Sequence, residues 1–366
     1  MTVWLALSAN AQQVRVMQWN IQGHLGTLAE NTTSNAEAIA RIVNYHQPDI
    51  LLFNEIQSRN IVTNAAALTD WVTNNVPYLG TNFYVAISTI TDGFERNGAI
   101  SPYPIVNETT YDDGLRGLHS FQVVLPSTNL QIFHTHLKCC HSLTNSPTDC
   151  ERRQTEAEFD AATISAWAAT NSLPYIMAGD WNEDQSNSFC GVTATYHPVT
   201  TIIQGAQLID FVPTDLNGKA KTQPSVAPTY RYDYCLAASN RLAAVSGLVF
   251  NSRVWAQAGL YTNVSPQHLT NDTVLASDHC PVFVNYDFPP PLLLITGLAN
   301  GSVDLSFASL SNRLYTLETT GVLTTNTSWQ PLPDFLLIPG TGTLLDYIDP
   351  TAAPQRFYRL HVQVTP

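Results

Sequence analysis

Pro174-Tyr175-Ile176-Met177-Ala178-Gly179-Asp180-Trp181-Asn182 begins as an apolar run and stops on a glycine, an acid and an amide. A short apolar run bounded by proline and glycine reads as a buried strand. Pro48-Asp49-Ile50-Leu51-Leu52-Phe53-Asn54-Glu55 has the same shape and also ends on an amide and an acid. Working outward, Val14-Arg15-Val16-Met17-Gln18-Trp19 alternates like a strand and stops at Asn20, and Leu130 to His136 is another strand. Asn35 to Tyr45 carries Ala38, Ile39, Ile42 and Val43 at helical spacing, and Glu151 to Ala168 reads as a second helix. Strands alternating with helices give an α/β architecture. Polar residues recur where its strands stop, which is where ligand sites gather.

With 366 residues the chain has room for one large domain and a small one. Only 12% of residues are charged, and 29 acidic against 16 basic residues give a net charge of -13. There is no basic run, so capture of a polyanion by bulk charge is not supported. The acidity is compatible with a divalent cation and equally with an extracellular surface. Residues 1–11 have the short apolar core and Ala-x-Ala ending of a secretory signal peptide, so the protein is expected to be secreted or periplasmic. The positively charged start of such a peptide is missing, which points to a truncated or misassigned beginning. No apolar stretch approaches the ~20 residues that span a bilayer, so no transmembrane helix is expected.

Six cysteines in an exported chain predict disulfides. Cys139, Cys140 and Cys150 bracket a polar loop, and one of the first two is expected to close it onto Cys150. Cys235 and Cys280 lie in apolar segments, as buried thiols do, and no spacing reads as a zinc site. The α/β pattern fills 12–288 and breaks at Pro289-Pro290-Pro291, a stiff spacer over 289–291. In 292–366 short alternating strands over Leu292–Leu298, Ser302–Phe307, Arg313–Thr319 and Arg356–Val364 predict a small all-β module. It has three basic and five acidic residues and no chemical cluster, which favours a structural, adhesive or sorting appendage.

Asn20, Glu55, Asp180, Asn182 and Asp278 are oxygen donors at strand ends, the type that Mg²⁺, Ca²⁺ and Mn²⁺ select. His136 and His279 lie beside apolar strands, where an imidazole can take a proton from water or steady a developing charge. His134 and His136 share one strand face, so one of them is expected to be structural. Each group alone has an ordinary explanation as a turn former or cap; their joint occurrence is what points to one hydrolytic site.

Trp19-Asn20-Ile21-Gln22-Gly23, Pro48 to Glu55, His134-Thr135-His136-Leu137, Gly179-Asp180-Trp181-Asn182, Tyr232-Asp233-Tyr234 and Ser277-Asp278-His279-Cys280-Pro281 occur in the order that marks a family. From about Val14 to Asp287 the chain resembles the endonuclease/exonuclease/phosphatase superfamily. Glu95-Arg96 and Tyr111-Asp112-Asp113-Gly114 look further like deoxyribonuclease I. The resemblance implies a four-layered α/β/β/α sandwich with the site at one end. It implies that Glu55, with Asn20 and Asp278, holds a cation, Mg²⁺ or else Ca²⁺ or Mn²⁺. Asp180 and Asn182 would orient water and contact phosphate, His279 steadied by Asp233 would be the general base, and His136 paired with Glu95 would stand near the leaving group. Arg116 would bind a phosphate oxygen. The implied activity is that of a DNase-like endonuclease on DNA, with a sphingomyelinase-type action on a phospholipid head group as the alternative. A catalytically silent binding or adhesion protein is the reading from another class. No stable protein partner is implied. The loop from Lys138 to Cys150 has no obvious counterpart in deoxyribonuclease I.

Overall fold

The computed structural model describes residues 3–7, 12–140, 147–188, 190, 196–238, 241–260, 269–288, 293–297, 302–309, 313–324, 327–350 and 355–364. The chain divides into two compact units. One comprises Val14–Val123 and Leu130–Tyr286; the other comprises Met1–Gln13, Val124–Asn129 and Asp287–Pro366.

The larger unit is built on two six-stranded sheets. The first runs, edge to edge, through Ala243–Val249, Val282–Phe288, Gln12–Asn20, Ile50–Gln57, Glu95–Ser101 and Tyr84–Ile87. The second runs through Leu208–Ile209, Asp233–Ala238, Tyr175–Asp180, Asn129–His136, Leu118–Val124 and Ile105–Tyr111. The helices Ser34–His46 and Ile61–Asn75 cover the first sheet: Ile39, Ile42, Val43, Leu68 and Trp71 pack with Met17, Leu51 and Phe53. The helices Asp149–Thr170 and Pro198–Gly205 cover the second, through Ala157, Ile164, Val199 and Ile202 against Phe133, Tyr175 and Met177. The fold is the expected α/β/β/α sandwich. Its helices start where the chain supplies caps. Thr33 accepts from the amide of Ala36, and Thr148 and Glu151 form a reciprocal capping box.

The seam between the sheets is polar near the middle. Asn54 accepts from Gln18 Nε2 at 2.5 Å and donates to Asn97 Oδ1 at 2.8 Å and to the Thr135 carbonyl at 3.0 Å. It also meets His134 Nε2 at 3.0 Å. His134 is thus a structural member of this network, and burial lowers its pKa well below the ordinary histidine value.

In the smaller unit a five-stranded sheet contains Val3–Leu7, Gln355–Val364, Arg313–Thr320, Gln330–Pro331 and Ile338–Pro339. A three-stranded sheet contains Leu294–Gly297, Val303–Ala308 and Leu344–Asp349. Val303, Leu305, Phe307, Tyr315, Leu317, Phe335 and Tyr358 form their common apolar core. This is the expected all-β accessory module. Val3–Leu7, inside the stretch read as a leader, pairs in parallel with Gln355–Arg359; the Ala-x-Ala ending and the spacer 289–291 lie outside the described residues.

The expected closure of Cys139 or Cys140 onto Cys150 is corrected. Cys150 bonds Cys190 instead, 40 residues on, with the Cα atoms 5.4 Å apart. The reason is that Cys190 is brought to the start of helix Asp149–Thr170, where Arg153 also donates to its sulfur at 2.9 Å. Cys235 and Cys280 are buried free thiols, as read from their apolar surroundings.

Candidate active site

Strand register assembles the site. In the second sheet Asp180 lies in register with His136 on one side and with Asp233 on the other. Residues in register on neighbouring strands point to the same face, so three polar side chains form one row across the sheet. In the first sheet Asn20 is in register with Asn54, one residue before Glu55. Glu55 sits at a bulge, with φ of 57°, where the pairing to Glu95–Ser101 shifts between Phe53 and Ile56. The bulge re-aims the glutamate at the seam between the sheets.

Gly179 is required by close approach. A Cβ there would stand 1.9 Å from the carbonyl oxygen of Thr135. The glycine lets the strands carrying His136 and Asp180 pass closely enough for Leu137 N to reach the Asp180 carbonyl at 3.0 Å. Trp181, fully buried and stacked on Tyr234 at 4.4 Å, anchors the turn beyond.

His279 Nδ1 lies 2.7 Å from Asp233 Oδ2, and its Nε2 lies 3.7 Å from Asp180 Oδ2. The backbone around it is strapped down. Trp19 Nε1 donates to the His279 carbonyl at 2.9 Å, and the Ser277 hydroxyl donates to the Asn20 carbonyl at 2.7 Å while accepting from His279 N at 3.0 Å. Burial alone would depress this imidazole, but the carboxylates of Asp233 and Asp180 raise it to about 10.

His136 behaves in the opposite way. Burial, then the Arg116 charge, lowers its pKa well below the usual value, so it is neutral. Both ring nitrogens are buried without a hydrogen-bond partner. Nε2 lies 3.8 Å from Glu55 Oε1 and 3.6 Å from Asp180 Oδ2, and Nδ1 lies 3.7 Å from Glu95 Oε2. Burial and the neighbouring Glu95 push Glu55 up to about 8, and burial likewise raises Glu95. Asp180 is raised to about 6, chiefly by burial.

Ligand atoms of Glu55, Glu95 and His136 lie within 4.8 Å of one another. This trio fits a divalent cation. Two carboxylates held above their ordinary range and an imidazole with no hydrogen bond are groups that a positive charge would satisfy. It is not the trio expected from the sequence, in which Asn20 and Asp278 accompanied Glu55. Asn20 turns its amide nitrogen to Glu55 Oε1 at 2.7 Å and to Asp180 Oδ2 at 2.8 Å, while its oxygen accepts from Gln22 N at 3.0 Å. It therefore holds the carboxylates apart as a donor. Asp278, half-buried, faces Gln223 Nε2 at 3.5 Å, though its charge is felt by Glu95 and His279.

Asn182, with φ of 51°, donates from Nδ2 to the Leu137 carbonyl at 3.1 Å, and its amide N donates to Asp180 Oδ1 at 2.9 Å. Arg116 is buried and paired with Asp92 at 2.9 Å and with Glu95 at 3.3 Å; it too donates to the Leu137 carbonyl, at 3.2 Å. Asp113, from the Asp112-Asp113-Gly114 motif, caps the amides of Leu115 and Gly117 and so shapes the turn that delivers Arg116. Two participants went unnoticed in the sequence. Asp92 looks there like an ordinary Asp-Gly turn, and the Leu137 carbonyl has no side-chain signal at all.

The model of the endonuclease/exonuclease/phosphatase family matches residues 17–279. The chain belongs to this family. Its members are phosphoesterase hydrolases, typically dependent on a divalent metal, and Glu55, Glu95 and His136 form a cluster able to hold such an ion. No curated protein matches the chain. Solved structures share the fold at low identity. An endonuclease/exonuclease/phosphatase from Beutenbergia cavernae is 14% identical, covering 97% of this chain and 93% of its own, with a TM-score of 0.50. A family protein from Leptotrichia buccalis is 16% identical over 75% of this chain and 100% of its own, with a TM-score of 0.51. A mannosyl-6-phosphatase from Bacteroides thetaiotaomicron is 16% identical over the same shares, with a TM-score of 0.50. Among the described residues no helix is long and apolar enough to cross a membrane.

Proposed function

We propose that this family member is an exported, divalent-cation-dependent phosphodiesterase that cleaves DNA by in-line attack of water. The observation that carries it is the juxtaposition of two histidines across one buried carboxylate. His279, oriented by Asp233, faces Asp180 from one side, and neutral His136 with Glu55 and Glu95 faces it from the other.

In this reading Asp233 fixes the tautomer of His279 through Nδ1, leaving Nε2 to exchange a proton with water near Asp180. Asp180 and Asn182 orient that water, and Arg116 and the Asn182 amide face the phosphate oxygens. Asn20 keeps Glu55 and Asp180 at fixed spacing. When bound, a divalent cation, Mg²⁺ first among those to try, supplies positive charge against the phosphate and offsets the carboxylate field that raises the His279 pKa. No covalent enzyme intermediate is needed. Export is supported by the Cys150–Cys190 disulfide, which suits an oxidising compartment.

Support for DNA comes from Tyr111-Asp112-Asp113-Gly114, which resembles deoxyribonuclease I and opens the turn that delivers Arg116 to the cluster. A phospholipid head group is the second reading, favoured by the net charge of -13, since a small zwitterionic group demands no extended basic surface. The test is one panel: supercoiled plasmid, sphingomyelin and a sugar phosphate, each with Mg²⁺ and with chelator. Nicked plasmid with Mg²⁺ alone supports the proposal. Release of choline phosphate or inorganic phosphate with intact plasmid moves the substrate elsewhere, and turnover in chelator removes the cation.

A further inference from the structure

The strand that ends at His136 runs on through Leu137 and Lys138 into two adjacent cysteines. In extended backbone, neighbouring side chains point to opposite sides. Here they do not. Cys140 adopts the left-handed region, with φ of 73°, and the two sulfurs stand 2.8 Å apart, well inside van der Waals contact. The surroundings hold this turn in place. Arg153, fully buried, donates from Nε to the Lys138 carbonyl at 2.8 Å and from Nη2 to the Cys140 carbonyl at 2.6 Å, gripping the chain on both sides of Cys139. Lys138 Nζ lies 3.5 Å from Cys139 Sγ. Cys140 is exposed, and Cys139 is half-buried beside it.

We propose that Cys139 and Cys140 are a redox-convertible vicinal pair, closed to a disulfide by exchange with a low-molecular-weight disulfide such as oxidised glutathione. The exposed Cys140 sulfur, as thiolate, attacks one sulfur of the small disulfide and expels its other half as a thiolate. Cys139 Sγ then attacks the Cys140 sulfur, forming the intramolecular bond and expelling the second thiolate. The two cysteine protons end on the two released thiols, so one disulfide is consumed and one is formed. Consecutive Cα atoms are only about 3.8 Å apart, below the roughly 4.4–6.8 Å that an unstrained disulfide spans. The bridge is therefore strained and easily reopened, unlike Cys150–Cys190.

The position gives the pair a consequence. The Leu137 carbonyl, two residues upstream of Cys139, accepts from both Arg116 and Asn182. Closing the ring re-sets the backbone that presents this carbonyl, and hydrolysis responds. The thiol chemistry stands without the hydrolase reading; only the coupling rests on it.

The test equilibrates the full chain in glutathione buffers of graded ratio, followed by alkylation, digestion and mass measurement. The peptide holding both cysteines should be two hydrogens lighter and unalkylated under oxidising buffer and doubly alkylated under reducing buffer, while Cys150–Cys190 stays closed. Phenylarsine oxide, which needs two neighbouring thiols, should bind the reduced form with one equivalent and fail to bind Cys139→Ser. Separate glutathione adducts that never resolve to an internal bond would overturn the pair. Phosphodiester turnover should change several-fold between the two buffers in the parent and stay constant in Cys139→Ser. An equal response in that variant would assign the effect to another disulfide and overturn the coupling.

Discussion

His279 and His136 are the same residue type with opposite fates, and the difference lies in what each meets. His279 has a carboxylate at 2.7 Å on Nδ1 that raises its pKa; His136 has neighbours only beyond hydrogen-bond distance and stays neutral. Replacing His279 by Ala should lower phosphodiester turnover by about 10²–10⁴-fold at saturating Mg²⁺, the usual contribution of a general base. A loss below about tenfold in a steady-state assay would remove that role. Glu55→Gln keeps the shape and removes one charge from the trio with Glu95 and His136. Its half-saturating Mg²⁺ concentration should rise at least about tenfold, as followed by calorimetry or by activity. An unchanged titration would place the ion elsewhere.

At the scale of elements, register decides which residues meet. Asp180 is centred between His136 and Asp233 because one strand pairs in parallel with Asn129–His136 and antiparallel with Asp233–Ala238. Asn129–His136 and Tyr175–Asp180 were readable as strands by their apolar runs and bounding residues, whereas Asp233–Ala238 was marked only by its Tyr232-Asp233-Tyr234 motif. The pairing was not readable, since no local pattern says which strands become neighbours. The helix Asp149–Thr170 carries a second consequence. Its buried Glu156, which accepts from Lys138 N at 2.6 Å, is raised by burial from 4.5 to about 7. The unfolded chain therefore loses this proton first, and between those pH values folding stability falls as pH rises. Below 4.5 the penalty is absent, and above about 7 it is complete. Glu156→Gln should remove that slope, gaining on the parent by at most roughly 3 kcal/mol across the window. Urea titrations at both ends of the window measure it; parallel curves for parent and variant would show that Glu156 does not titrate in the fold.

For the whole molecule the governing quantity is a net charge of -13 in a chain with few cations. Arg116, the cation nearest the trio, is already paired with Asp92 and Glu95. Few phosphates can then be neutralised, so salt should matter little. A protein with six to ten phosphate contacts loses about 10³–10⁵ in affinity between 50 and 200 mM salt. Here KM for plasmid DNA at fixed Mg²⁺ should change by less than about tenfold over that range. A steep loss would reveal a basic path that the composition does not suggest. The amino-acid sequence by itself determined strands and helices, because apolar period and bounding residues are local properties. It also determined the family, because Asn20, Glu55, Asp180, Asp233 and His279 stand in a fixed order along the chain. Only the tertiary structure brings Glu95 and His136 close to Glu55, turns the Asn20 amide to Glu55 as a donor and sets Asp278 beside Gln223. It alone decided that Cys150 reaches Cys190. Those outcomes depend on a bulge that re-aims one side chain, on which strands pair, and on where a helix begins, and these are relations between segments far apart in the chain.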